Sequence, residues 1–247
     1  MIPNPIHKVL SSMRAHRVRA LLMGGQACVF YGAAEFSRDV DFAILADAAN
    51  LGRLRKALRE LEAEPIAVPS FSLKHLRRGH AVHFRCQHPD ALRLRVDVMS
   101  KMRGVSPFPA LWRRRTVIAL PGGTECPLMS LPDLVQAKKT QRDKDWPMIR
   151  RLVEAHYFEY RKAPVPARIR FWLTELRTPE LLIEVAHEAP AVARRLGASR
   201  PLLAHAISAN AEKLLQALAA EESAERQRDR EYWLPLKQEL ETLRRSR

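Results

Sequence analysis

The chain has 247 residues, 47% of them hydrophobic, which is enough for one large domain or two modest ones and too apolar for wholesale disorder. Lys and Arg total 42 against 27 Asp and Glu, a formal net charge of +15. Such a surplus attracts polyanions such as RNA, DNA or nucleoside triphosphates and disfavours cationic ligands, although a generally basic, Arg-rich proteome would give the same balance.

Cys28, Cys86 and Cys126 form no CxxC pair, so neither a zinc site nor a disulfide framework is expected. The N-terminal stretch lacks the continuous apolar core of a signal peptide, and no apolar run reaches the roughly 18 to 20 residues of a membrane span. A cytoplasmic protein with no membrane partner is expected.

In chain order, Ile6, Val9, Leu10 and Met13 recur at helical spacing and predict an opening helix over 6–16. ALLMGG predicts a buried strand ending in a tight turn, and QACVFYGA a short helix stopped at Gly32. VDFAIL is a second strand. Leu51, Leu54, Leu58 and Leu61 share one face of a helix over 51–61. AVHFRCQ and LRLRVDVM are strands, the second placing Leu92, Leu94, Val96 and Val98 on one side and Arg93, Arg95, Asp97 and Met99 on the other. TVIAL and ECPLM flank Pro121-Gly122-Gly123 as a hairpin. From Leu131 on, helical pattern dominates: one helix over 131–144, another begun or kinked at Pro147 and running to about 161, then short helices punctuated by Pro179, Pro190 and Pro201 and a charged helix from Glu221. APVPAR (163–168) is the linker candidate. Strands early and helices late predict an α+β fold, with one domain over 1–162 and a helical region over 163–247.

Asp39 and Asp41 stand two apart at the start of VDFAIL, so a strand projects both carboxylates from one face. Two like charges held that close favour a cation between them, and Mg²⁺ takes carboxylate oxygens together with substrate phosphates. Asp97 lies within an apolar strand, where a charge needs a partner. If strands 40–45 and 92–99 are neighbours, the three acids form one cluster suited to two-metal phosphoryl transfer. Taken singly, a DxD pair is also a common solvated turn, and Asp97 could simply pair with Arg95 or Arg93. Gly24 and Gly25 end the preceding strand, where glycine lets backbone approach a ligand closely.

The stretch LLMGGQACVFYGAAEFSRDVDFAIL resembles the signature of the DNA polymerase β-like nucleotidyltransferase superfamily, nearest its AbiEii-like and minimal-nucleotidyltransferase branches. In that family a Gly-Gly or Gly-Ser turn precedes a strand bearing Asp-x-Asp, and a later strand supplies a third carboxylate. The resemblance, over roughly residues 18–155, implies a mixed sheet flanked by helices and transfer of a nucleoside monophosphate from an NTP to an acceptor hydroxyl, with release of pyrophosphate. It implies Mg²⁺ (or Mn²⁺) on Asp39, Asp41 and Asp97, and nucleotide contacts from Gly24, Gly25 and Ser37. A helix of the form Leu-x-x-x-Lys…Arg-x-x-Asp in SLPDLVQAKKTQRDKDWPMI adds Lys138 and Arg142 as phosphate ligands, with Lys139 an equal alternative to Lys138 and a salt-bridged surface helix the plain one. The net charge favours tRNA or another polyanion as acceptor. Two other readings fit the same residues: a non-catalytic nucleotide- or nucleic-acid-binding protein retaining the fold, and the toxin of a toxin–antitoxin pair.

His75, His80, His83 and His88 read as exposed histidines rather than zinc ligands. WRRRT (112–116) reads equally as a stacking platform with phosphate-gripping arginines or as a solvated basic turn.

Overall fold

The apolar run Ala20–Met23 forms β1 of a seven-stranded mixed sheet in the computed structural model of the chain, which describes residues 4–120 and 125–246. The other strands are β2 (Asp39–Ile44), β3 (Glu64–Pro65), β4 (Val82–Arg85), β5 (Arg95–Met99), β6 (Thr116–Ala119) and β7 (Glu125–Leu128), in the order β3-β4-β5-β2-β1-β7-β6. β2 runs parallel to β5 and antiparallel to β1, and β1 runs parallel to β7. The fold is α+β. No helix among the described residues is long and apolar enough to cross a membrane.

The chain forms two compact units. One takes in the residues up to Phe30, Ala34–Ala137 and those from Tyr232 on; the other takes in Tyr31–Ala33 and Lys138–Glu231. All seven strands belong to the first, with α1 (Asn4–Ala15), α2 (Gly24–Phe30), α3 (Ala48–Glu60), α4 (Leu73–Arg78), α5 (Phe108–Arg114) and nearly all of α6 (Leu131–Lys138). The alternation of the central strands divides the sheet's faces. Val40, Phe42, Val82, Phe84, Val96 and Val98 point one way and are buried, while the residues between them on β2, β4 and β5 point the other way and stay at least partly exposed towards the strand starts. Asn50, buried at the start of α3, accepts from the Arg19 amide at 2.7 Å and donates to the Arg19 and Leu45 carbonyls at 3.0 and 2.9 Å, fixing the start of β1 to the end of β2.

β5 begins at Arg95, not Leu92. Arg93 takes a left-handed φ of 63° and closes a turn on Cys86, so Leu92 faces solvent and the apolar alternation of 92–94 marks a turn rather than ladder. β6 and β7 pair antiparallel with Ile118 opposite Cys126, as the hairpin expectation has it; its Pro121-Gly122-Gly123 turn lies outside the described residues.

The second unit is helical: α7 (Asp145–Tyr160), α8 (Pro166–Glu175), α9 (Pro179–Glu188), α10 (Pro190–Leu196), α11 (Leu203–Ile207) and residues 211–231 of α12 (Ala211–Arg245). Proline opens α8, α9 and α10, where its missing N–H costs no hydrogen bond. APVPAR leads into α8 within this unit. Its core sets Tyr157 edge-on to Trp172 at 5.2 Å. Arg200 is buried but fully used, donating to Glu221 and to the Leu173 and Leu176 carbonyls. The predicted single helix over 131–144 is interrupted: α6 stops at Lys138, and the next six residues turn around the buried Asp145.

In the first unit, α1 is tied to α3 through Glu60, which accepts from Lys8 at 2.7 Å, from Ser12 at 2.9 Å and meets His16 at 2.9 Å. The Lys8 hydrogen bond, opposed by partial burial and helped by Ser12 and His16, holds the Glu60 carboxyl down to about 2. A depressed folded value means stability present above the ordinary 4.5 and lost as the pH falls from there through about 2. The side chain is 36% exposed, so solvent screening limits the loss to about 1 kcal/mol. Urea titrations of wild type and Glu60→Gln across that window are expected to converge as Glu60 protonates. Parallel curves would remove Glu60 as the titrating group.

Candidate functional site

The ladder between β2 and β5 puts Asp41 opposite Asp97 and Asp39 opposite Arg95. On the far side of β5, His83 of β4 stands opposite Asp97. Residues directly opposite one another share a face, so Asp39, Asp41, Asp97, Arg95 and His83 all lie on the face away from the Val40 and Phe42 side. The neighbouring-strand condition that the sequence left open is therefore met, and the three acids converge.

Their surroundings differ. Asp41 packs against the glycine turn. Gly24 has a φ of +65°, and a methyl added to it would fall 1.9 Å from Asp41 Oδ2, well inside contact distance. A methyl on Gly25 would fall 2.6 Å from Ser37 Oγ, whose hydrogen bond goes to the Asp39 carbonyl at 3.0 Å. Gly24, Gly25 and Ser37 thus form a close backbone wall beside the Asp39–Asp41 pair, tight enough that only glycine fits at 24.

Asp97 is engaged through both oxygens. Arg95 grips it side-on, Nε to Oδ1 at 2.8 Å and Nη2 to Oδ2 at 2.7 Å. His83 Nδ1 stands 2.9 Å from Oδ1 and 3.0 Å from the same Arg95 Nη2. As an N–H it donates to the carboxylate; as a bare nitrogen it accepts from the guanidinium. Burial works against the Asp97 charge, but the hydrogen bonds from His83 and Arg95 outweigh it and hold the carboxyl below its usual range. Arg95 is raised in turn, first by its hydrogen bond to Asp97 against the cost of burial, then by the charges of Asp97, Asp39 and Asp41, so one guanidinium lies in the field of all three acids.

These residues fit a hard divalent cation in kind. Asp39 and Asp41 are paired, partly exposed carboxylates beside a wall close enough to accept phosphate, and Mg²⁺ is commonly held by one or two carboxylates plus phosphates and water. As arranged, Asp97 does not join them: among the described residues no three His, Cys, Asp or Glu side chains are drawn together to hold a metal ion.

Lys138 and Arg142 belong to the second unit. Their convergence comes from the turn after α6 rather than from one helix face, and both close on Asp145, at 3.0 and 2.7 Å. Lys139 pairs with Glu175 at 2.9 Å. Trp112 stacks on Phe108 at 5.7 Å and lies under Arg19 and Arg115 at 5.0 and 4.4 Å. With Arg14, Arg17, Arg19 and Phe42 it lines a cavity of about 260 Å³, on the Phe42 side of the sheet and so opposite the acids. His80 is not exposed: it is 2% accessible and its Nε2 meets Glu239 at 2.8 Å.

Sequence reasoning left Arg95 as a plain partner for Asp97 and His83 as an exposed histidine. Arg95 was findable from its two-residue spacing to Asp97. His83 was not, because only the β4–β5 register brings it opposite Asp97. No protein family matches the chain by sequence, and no curated protein matches it either.

Proposed function

We propose that the chain is a metal-dependent nucleotidyltransferase. It moves a nucleoside monophosphate from an NTP to an acceptor hydroxyl. One observation carries the reading: Asp41 registers opposite Asp97 in parallel strands, with Asp39 on the same face and Gly24 packed against Asp41.

Asp39 and Asp41 would hold Mg²⁺ or Mn²⁺, which when bound neutralises charge developing on the phosphates. Gly24 and Gly25 let the backbone approach the triphosphate, with Ser37 beside them. The acceptor oxygen attacks the α-phosphorus, the bond to the β-phosphate breaks, and pyrophosphate leaves. In the superfamily the chain resembles, the third carboxylate helps to activate the acceptor hydroxyl, which here gives that role to Asp97. Lys138 and Arg142 take no part, since both already neutralise Asp145. The +15 charge favours a polyanionic acceptor such as tRNA.

Incubating the protein with Mg²⁺, total RNA and each α-labelled NTP is expected to put label into RNA, with pyrophosphate released in equal amount. Absence of transfer from all four NTPs would remove the activity on RNA. One observation favours a non-catalytic nucleotide-binding protein instead, namely the engagement of both Asp97 oxygens by Arg95 and His83. That reading requires Mg²⁺–NTP to raise the melting temperature without any transfer.

A further inference from the structure

We propose that Arg95 takes the place of one divalent ion, so that this site binds a single divalent cation, on Asp39 and Asp41, with the guanidinium serving Asp97. The inference rests on the nucleotidyltransferase reading and deepens it.

Four observations converge. The guanidinium occupies both Asp97 oxygens in a side-on fork, at 2.8 and 2.7 Å, the geometry in which Arg binds carboxylate most strongly. It is held from a second direction by His83 Nδ1 at 3.0 Å, so it is positioned rather than incidental. The ladder fixes its origin: Arg95 stands opposite Asp39 and two residues before Asp97, so its side chain emerges among all three carboxylates. Asp97 is withdrawn from any three-ligand metal cluster, which leaves Asp39 and Asp41 as the available pair.

Charge leads to the same count. One guanidinium and one divalent ion balance three carboxylates. Two divalent ions beside Arg95 would leave the nucleotide-free site with a net positive charge of two, and like charges within a few ångströms repel. Arg95 does not exchange its proton at any working pH, so its charge is a fixed part of the site. It acts as a positioning residue for Asp97 and as a permanent counter-charge.

The test is Mn²⁺ titration of metal-free protein by calorimetry and electron paramagnetic resonance, without nucleotide. Wild type is expected to bind one Mn²⁺ per chain. Asp39→Asn or Asp41→Asn should weaken binding at least tenfold, whereas Asp97→Asn should change it by no more than about threefold. Arg95→Gln frees Asp97 and is expected either to admit a second Mn²⁺ or to tighten the first about tenfold; Arg95→Lys, which keeps the charge, should stay closer to wild type. Two ions in the wild type, or loss of binding in Asp97→Asn, overturns the inference and leaves the nucleotidyltransferase reading intact. Unchanged binding in a folded Arg95→Gln also overturns it alone. No Mn²⁺ binding by any of these proteins overturns both. Should Arg95→Gln fail to fold, the wild-type stoichiometry and Asp97→Asn still decide.

Discussion

Asp41→Asn is expected to lower nucleotide transfer about 10³-fold, the loss of roughly 4 kcal/mol of transition-state stabilisation. Asp41 is the acid in contact with everything the reaction needs. It stands opposite Asp97, shares its face with Asp39 and lies against Gly24, the residue closest to the expected phosphate position. The substitution preserves shape, so the glycine contact stays and the fold is not disturbed by volume. It removes one of three like charges, so the melting temperature should hold or rise slightly. Loss of rate with retained stability separates a role in the reaction from a role in folding. Asp47→Asn is the control: Asp47 caps α3 by accepting from the Asn50 amide at 2.6 Å, and Asn caps almost as well. Its transfer rate should match wild type. A rate for Asp41→Asn within tenfold of wild type would exclude Asp41 from the reaction.

The elements that carry this site were legible because their patterns are short-range. ALLM followed by two glycines gives β1 and the turn, and the alternation of VDFAIL places both acids on one face. What the sequence could not give was register. Asp41 meets Asp97 only because β2 and β5 pair in parallel with one particular offset, and a slip of one residue would have turned Asp97 to the opposite face. Arg95 and His83 depend on that register too. The break after Lys138 was hidden for another reason. Lys138 to Lys144 contains no glycine or proline and reads as helix, yet burying one carboxylate bends the chain there. Asp145 gathers Lys138, Thr140 and Arg142, and Gln141 donates its amide to Asp229, a partner 88 residues on. Pro147 was read as opening or kinking the following helix. It sits instead at its third residue, within the first turn, where no backbone donor is needed. His80 looked exposed because its partner, Glu239, lies 159 residues away.

The same buried carboxylate gives the largest expected stability effect. Asp145→Ala should destabilise the second unit by about 3–5 kcal/mol, the cost of leaving a buried charge without its partner. Asp145 has a side-chain exposure of 1% and accepts from Lys138 Nζ at 3.0 Å, Thr140 Oγ1 at 2.6 Å and Arg142 Nε at 2.7 Å. Burial opposes its charge, but Lys138, Thr140 and Arg142 more than offset that and keep the carboxyl below its ordinary 3.8. The three donors do not suffer equally when it goes. Arg142, 57% exposed, can turn to water; Lys138, 11% exposed, cannot, and its ammonium is the group that loses most. Pairing Asp145→Leu with Lys138→Met should therefore recover much of the loss, because an apolar pair leaves no charge behind. Trp146, whose indole N–H donates to the Thr140 carbonyl at 2.8 Å, sits beside the substitution and reports it by fluorescence during urea unfolding. The pH dependence has a definite sign. A depressed carboxyl contributes stability at neutral pH that disappears as the pH falls below 3.8, so the wild-type advantage over Asp145→Ala should shrink in acid. A loss under 1 kcal/mol at pH 7, or a double variant no better than Asp145→Ala, would mean that the turn after α6 is held by its backbone and not by this cluster of charges.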